Sequence, residues 1–347
     1  MKDEMDDEVY ILEQAGLVYV SDRDPGISRE RRGRGFSYRM PDGTLVRDKA
    51  MRRRLDALAI PPAHERVWIC IRPDGHLQAT GYDARGRKQY RYHPDWRALR
   101  EEKKYDQLVD FAAALPRIRR RARTDAEQLD DLPRAVLGAM TMLVDAAHLR
   151  IGNRSYLEEN GTYGASTLLK RHVRFGDHLE LEFAGKGGRR ARRRLQAPRL
   201  QRVLERISDL PGRQLFGWRE EDGRPRSIGS GQLNAYLAEI ADAPFSAKTF
   251  RTWGGTVAAF DVAQRDIRNG VTPLIKTMSE AAASELSNTP TICRNSYIHP
   301  AVLALSNDAA ERRLLMRQAA RPAKPINGLR VSESRLTAFL KGARRLS

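Results

Sequence analysis

The period of the hydrophobic and polar positions changes near residue 95, and the change divides the chain in two. Before about Pro94 the apolar residues come in short alternating runs closed by turns. Phe36-Ser-Tyr-Arg-Met40 leads into Pro41-Asp-Gly and Thr44-Leu-Val, and Val67-Trp-Ile-Cys-Ile71 leads into Pro73-Asp-Gly and Leu77-Gln-Ala-Thr. Each run predicts a β-hairpin, with one helix between them from Asp48 to Leu58. From Trp96 onward the apolar residues fall at three- and four-residue spacings, as at Leu108, Phe111, Ala112 and Leu115, and the chain reads mainly as helix. The exception lies between His172 and Leu195. There Val173-Arg-Phe, Leu179-Glu-Leu-Glu-Phe and a Gly185-Lys-Gly-Gly turn predict a small antiparallel sheet. Further helices are expected at Arg199 to Ser208, Gln232 to Ala241, Lys248 to Ala263, Pro273 to Leu286 and Thr291 to Leu305. Pro322 and Pro325 then precede a short last helix with Leu336, Phe339 and Leu340 on one face. The fold class is α+β: a β-rich N-terminal domain over residues 1–95, and a larger, mainly helical domain over 96–347 that carries the small hairpin sheet.

Charge narrows the partner. The 347 residues carry 62 Lys+Arg against 44 Asp+Glu, a formal +18, which implies an electrostatic footprint for a polyanion. No run of about 18 uncharged apolar residues occurs, so no membrane span is expected. The acidic start, whose first nine residues are expected to be mobile, is unlike a secretory signal or transit peptide. Two cysteines, Cys70 and Cys293, indicate neither a disulfide framework nor a metal site, and a reducing cytoplasm is the expected home. Cys293 reads as packing, although it lies one helical turn before Tyr297.

Five residues have the chemistry to break a phosphodiester. Tyr297 is a nucleophile if neighbouring cations favour its phenolate and stabilise charge developing on phosphorus. Arg150 and Arg251 supply permanently charged, planar forks for phosphate oxygens, and Lys186 has a proton to give to the departing oxygen. Asn288 adds a neutral donor. Taken singly, each has a plain alternative. Arg150 in His148-Leu-Arg-Ile-Gly-Asn reads as a surface arginine at a helix end, Arg251 as a basic residue opening a helix, and Tyr297 as a half-buried core tyrosine. Lys186 reads as a solvated lysine in a Gly-rich turn. A nucleotide-binding loop is excluded there, because Glu180 and Gly187 stand where a P-loop needs Gly and Ser or Thr. Asn288 before Thr289-Pro290 also reads as a helix N-cap. The arginine run from Arg189 and Arg190 to Arg194 is either a solvated basic face or a track for a DNA backbone.

The order of the phrases settles this for Arg150, Lys186, Arg251 and Tyr297, and leaves both readings of Asn288 and of the arginine run open. Gln89-Tyr-Arg-Tyr92, Leu149-Arg-Ile-Gly-Asn153, Phe183-Ala-Gly-Lys-Gly187, Lys248-Thr-Phe-Arg-Thr252, Leu286-Ser-Asn-Thr-Pro290 and Ser296-Tyr-Ile-His-Pro300 cover nearly the whole chain. In that order they resemble the type IB DNA topoisomerases of the small bacterial and poxvirus kind. The resemblance implies that Tyr297 attacks one strand of double-stranded DNA to leave a 3′-phosphotyrosyl bond, with Arg150 and Arg251 on the nonbridging oxygens and Lys186 as general acid. Strand rotation then relaxes supercoils of either sign before the freed hydroxyl reverses the attack, with no metal, ATP or other cofactor. It further implies a monomer without an obligate protein partner, acting on the nucleoid in the cytoplasm. Asn288 stands where the poxvirus pattern has histidine, and can donate a hydrogen bond but carry no charge. Gln89, Tyr90 and Tyr92 match DNA-touching residues of the family's first domain. If Gln89 to Tyr92 is a strand, the two tyrosines share a side. The plain alternative is a pair of aromatics packing a sheet face. A duplex-wrapping clamp must open to load, and the stretch from Pro94 to Glu102 is the candidate hinge.

Two other functions fit parts of the pattern. A tyrosine recombinase shares the Arg, Lys, Arg and Tyr set, but normally has His-x-x-Arg where this chain has Lys248-Thr-Phe-Arg251. An architectural DNA binder would use the charge surplus without needing Tyr297.

Overall fold

The computed structural model describes residues 12–13, 15–33, 35–220, 222–307, 316–317, 319–320 and 324–344. The acidic first nine residues and Pro322 lie outside that set. The chain forms two compact units, residues 1–103 and 104–347.

The first unit is built on a five-stranded antiparallel sheet of β1 (Ile27–Arg32), β2 (Gly35–Arg39), β3 (Glu65–Ile69), β4 (Leu77–Tyr82) and β5 (Lys88–Tyr92), in the order β2-β1-β3-β4-β5. Helix α1 (Lys49–Ala57) begins where Asp48 accepts a hydrogen bond from Met51 N at 2.7 Å, and it packs Leu55 with Ile27, Tyr38, Val67, Ile69 and Ala79. The β3–β4 hairpin is the one predicted. The first hairpin differs: β2 pairs along its length with β1, while Thr44 to Val46 contributes only a bridge from Leu45 to Arg39 and two backbone bonds. The sequence Ile27-Ser-Arg-Glu-Arg-Arg32 hides β1, because only Ile27 turns to the core and the rest is polar or charged.

Helix α2 (Pro94–Glu127) contains the candidate hinge, Pro94 to Glu102, in its first turns. The second unit then runs through α3 (Leu132–Ala147), α4 (Arg154–Asn160) and a three-stranded sheet of β6 (Val173–Arg174), β7 (Leu179–Ala184) and β8 (Arg190–Leu195), as the alternation predicts. After α5 (Pro198–Ser208) comes a two-stranded ribbon, β9 (Gly217–Arg219) with β10 (Pro225–Ser227), too short and too charged to show as a period. Helices α6 (Ser230–Ala241), α7 (Ala247–Arg268) and α8 (Ile275–Leu286) follow. The core gathers Phe111, Phe245, Phe250 and Trp253, the rings meeting edge to face.

The predicted helix from Thr291 to Leu305 is three pieces: α9 (Pro290–Ser296), α10 (Pro300–Leu303) and a 3₁₀ turn over Ala304–Ser306. Pro300 is the physical reason, since its ring and missing N–H exclude helical continuation through the preceding residues. Tyr297 therefore sits in a break, at φ −136° and ψ 2°. The last helix, α11 (Val331–Ala343), buries Leu336, Phe339 and Leu340 as predicted. Its Glu333 accepts hydrogen bonds from Arg119 of α2 and, at 3.2 Å, from the indole N–H of Trp253 in α7. No helix among the described residues is long and apolar enough to cross a membrane.

Candidate active site

Arg150 hangs from the sharp exit of α3. The cap residue His148 takes a left-handed φ of 48°, and the chain leaves through Leu149 to Gly152. The segment is then pinned from outside the helix. Arg150 O accepts from Ala165 N at 2.8 Å, and Ile151 O accepts from both Ser166 N and Ser166 Oγ. Gly152 and Gly164 face each other so closely that a Cβ on Gly164 would stand 2.5 Å from Gly152 N and 2.6 Å from Arg150 O. Only glycine permits that approach.

Helix α7 carries the other arginine and makes room for its neighbours. Arg251 is 4% exposed and donates through Nη1 to His148 O and through Nη2 to Leu286 O at 3.2 Å. One turn on, a Cβ at Gly254 would strike the His148 ring at 2.5 Å, and one at Gly255 would lie 2.8 Å from Tyr297 O. The glycine pair thus lets the His148–Arg150 exit and the Tyr297 backbone rest directly on α7. Thr256 completes the seat: its hydroxyl donates to Thr252 O and accepts from His299 N at 3.1 Å, with Tyr297 O 3.2 Å away.

Tyr297 stands against Arg251, whose guanidinium carbon is 5.1 Å from the ring centroid. Burial by itself pushes the phenol up. The charge and hydrogen bond of Arg251, followed by Arg150 and Lys248, outweigh it and hold the phenol below the ordinary tyrosine value. That is the shift an attacking phenolate needs. Burial and the nearby Arg150 in turn press the Arg251 guanidinium downward.

Lys186 is exposed on the tip between β7 and β8, where the chain turns through Gly187 and Gly188 at φ 76° and 74°. The tip leans over a cleft of ≈ 250 Å³ lined by Arg150, Lys186, Arg251 and Asn288 together with Arg189, Arg190 and Arg193. Asn288 does not cap α9. Thr289 does, accepting from Ile292 N at 3.3 Å. The Asn288 amide nitrogen is buried with no hydrogen-bond partner among the described residues, and so is Arg251 Nε. Two orphaned donors beside one cleft are an anion site in waiting.

The structure thus brings Arg150, Lys186, Arg251 and Asn288 to one cleft, with Tyr297 on Arg251. The predicted DNA contacts are placed as follows. Tyr90 and Tyr92 are exposed on the same side of β5 with parallel rings, centroids 6.1 Å apart, and the Tyr92 ring also lies 6.1 Å from that of the buried His76. Gln89 donates to Asp83 Oδ2 at 3.0 Å. Arg189 and Arg190 are exposed, and Arg190 is paired with Glu182. Sequence reasoning missed His148, Thr256 and the two glycines, although Gly254-Gly255 inside a long helical pattern was a legible sign of close approach.

A family model for the catalytic core of eukaryotic DNA topoisomerase I matches residues 93–311, and one for the N-terminal domain of bacterial DNA topoisomerase IB matches residues 35–83. The DNA topoisomerase 1B of Acanthamoeba polyphaga mimivirus is 28% identical over 298 residues, covering 82% of this chain and 89% of the viral protein.

Proposed function

The chain belongs to the type IB DNA topoisomerase family, and from that premise we propose that it relaxes DNA through a covalent bond between Tyr297 and the 3′ phosphate of one strand. The Tyr297 oxygen attacks phosphorus in line with the 5′ oxygen, which departs as the free hydroxyl after taking a proton from Lys186. Arg150, Arg251 Nε and the Asn288 amide receive the nonbridging oxygens as charge develops on them. The observation that carries this reading is the pair of buried, unpartnered donors on Arg251 and Asn288, set beside a tyrosine whose phenol the same arginine favours as phenolate. Because the phosphotyrosyl bond conserves the phosphodiester energy, the strand rotates about its intact partner and is resealed by its own hydroxyl. No nucleotide or metal enters these steps.

All five groups belong to one chain, so a monomer suffices. The substrate is duplex DNA, and the nucleoid of a bacterial cytoplasm is the proposed site of action, in keeping with the +18 charge and two free cysteines. In this reading Gln89, Tyr90 and Tyr92 of the smaller unit and Arg189 and Arg190 of the hairpin touch the duplex outside the scissile phosphate. The test is relaxation of positively and negatively supercoiled plasmid in excess EDTA without ATP, beside Tyr297→Phe. Relaxation of both signs by the wild type alone is expected. Relaxation by the phenylalanine variant would sink the nucleophile assignment.

A further inference from the structure

The arginine run of β8 is two faces, not one. Arg190, Arg192 and Arg194 are exposed and paired across the hairpin with Glu182 and Glu180. Arg193 lies in register with Leu181 on the opposite face, where β7 buries Leu179, Leu181 and Phe183 and where β8 otherwise places Ala191 and Leu195. It is the one charged side chain in β8 at a core-facing position. A packed hairpin has no need of it there, and such a break in pattern marks function more often than packing.

The contacts of Arg193 say what it does. Its Nη2 donates to Glu285 O at 2.6 Å, and no carboxylate among the described residues is paired with it. Glu285 O is one of the carbonyls that the end of α8 leaves without a helical donor. The next carbonyl, Leu286 O, is held by Arg251. Two arginines therefore grip consecutive carbonyls of one helix end, one from the helix bearing the tyrosine's partner and one from the hairpin bearing Lys186. Two residues further on is Asn288. The hairpin has a second tether on its other strand, Tyr163 N to Ala184 O at 2.7 Å, while a Cβ on Gly187 or Gly188 would meet nothing within 4 Å. Beyond the buried Leu179, Leu181 and Phe183 of β7, the hairpin that carries the Lys186 tip is thus tethered by one backbone bond on β7 and by Arg193 on β8.

We infer that Arg193 is a positioning residue: it latches the Lys186 hairpin to the α8 terminus, so that the proton donor and the Asn288 turn keep one fixed separation across the scissile phosphate. The inference rests on the assignment of Lys186 as proton donor. A displacement of the donor by about 1 Å costs on the order of 100-fold in rate, and Arg193→Met, which keeps the stem and loses the donors, is expected to slow single-turnover cleavage of a duplex oligonucleotide by about that factor. DNA affinity should change by less than about threefold, because a phosphate contact is not what is removed.

Arg193→Lys can still reach a carbonyl and is expected to recover most of the rate. In a Lys186→Ala background, Arg193→Met should slow cleavage no further. Multiplying losses in the double variant, or a loss of affinity as large as the loss of rate, would overturn the latch. A substrate with sulfur in place of the bridging 5′ oxygen separates this inference from its premise, since a thiolate leaves without a proton. Recovery of Lys186→Ala on that substrate upholds the acid, and recovery of Arg193→Met alongside it upholds the latch. If Lys186→Ala stays slow, the acid assignment falls, and the double variant alone decides for or against the latch. Should Arg193→Met fail to fold, Arg193→Gln, too short for Glu285 O, takes its place in every arm.

Discussion

Gly255 is the position where one methyl group should silence the enzyme without unfolding it. It lies inside α7, where replacing glycine by alanine ordinarily gains up to about 1 kcal/mol of helix stability. Here the added Cβ would stand 2.8 Å from Tyr297 O, 2.9 Å from Leu286 Cδ1 and 3.2 Å from Tyr297 Cβ. Contact at ~3.5 Å requires the Tyr297 backbone to withdraw by roughly half an ångström or more. That backbone is held by Cys293 O from one side and the Thr256 hydroxyl from the other, so the shift carries the phenol with it. Overpacking of this kind costs about 1 to 3 kcal/mol, and the propensity gain of about 1 kcal/mol offsets part of it, leaving Gly255→Ala destabilised by no more than ~2 kcal/mol. Misplacing the nucleophile by up to about 1 Å is expected to cost ~100-fold in cleavage rate, equivalent to ~2.7 kcal/mol. Single-turnover formation of the covalent protein–DNA adduct measures the rate, and thermal denaturation measures the stability. Gly231→Ala is the control, a glycine of α6 whose Cβ would meet nothing within 4 Å, and it should lose neither. A Gly255→Ala protein that forms adduct at the wild-type rate would refute the argument that α7 seats the tyrosine.

Two further predictions concern protons. Because Lys248 is among the cations that hold the Tyr297 phenol below its ordinary value, Lys248→Met should move the rising limb of the cleavage pH profile to higher pH while leaving Arg150 and Arg251 in place; an unmoved limb would remove Lys248 from the account. His299 is pushed down to about 4 by burial and then by Arg344, so it is neutral when folded, and its stabilising contribution is present above about pH 6.5 and lost as pH falls towards 4. The gap corresponds to ~3 kcal/mol, and His299→Asn, which keeps a capping acceptor for Ala301 N, should flatten that slope in denaturant titrations across the same window. Parallel slopes for the two proteins would contradict it.

The sequence shows those features that depend on local pattern or local chemistry. Alternation reveals β3, β4 and the Lys186 hairpin, and three- and four-residue spacing reveals α5 to α8 to within a few residues. It conceals β1, whose partner and burial come from β2 and β3 rather than from its own charged residues. The chemistry of Tyr297, Arg150, Lys186 and Arg251 is visible as residue types in order, but their convergence depends on approaches that no period encodes, such as Gly254 against His148 and Gly152 against Gly164. Pro300 was a local signal of a different kind, and the spacing of Ile298, Val302 and Leu305 concealed its effect by continuing the apolar stripe across the break.

Ion pairing separates the arginines assigned to the scissile phosphate from those on the outside of the hairpin. On the outer face of the hairpin, Arg190, Arg192 and Arg194 have Glu180 and Glu182 across the strand, and such exposed pairs contribute little beyond solubility and register. In the cleft, Arg150 and Arg251, the arginines assigned to the phosphate, have no paired carboxylate among the described residues, and Arg251 donates to the backbone carbonyls His148 O and Leu286 O. A carboxylate would satisfy those cations at rest and would compete with a phosphate on arrival. A carbonyl aims them without neutralising them. The cost is an unliganded site with buried donors unmet at Arg251 Nε and Asn288, on the order of 1 to 3 kcal/mol each. The arriving phosphodiester removes that cost most fully when its oxygens carry most charge, at the pentavalent transition state. The same unmet donors that make the free protein less stable are therefore the ones that favour bond exchange over simple binding.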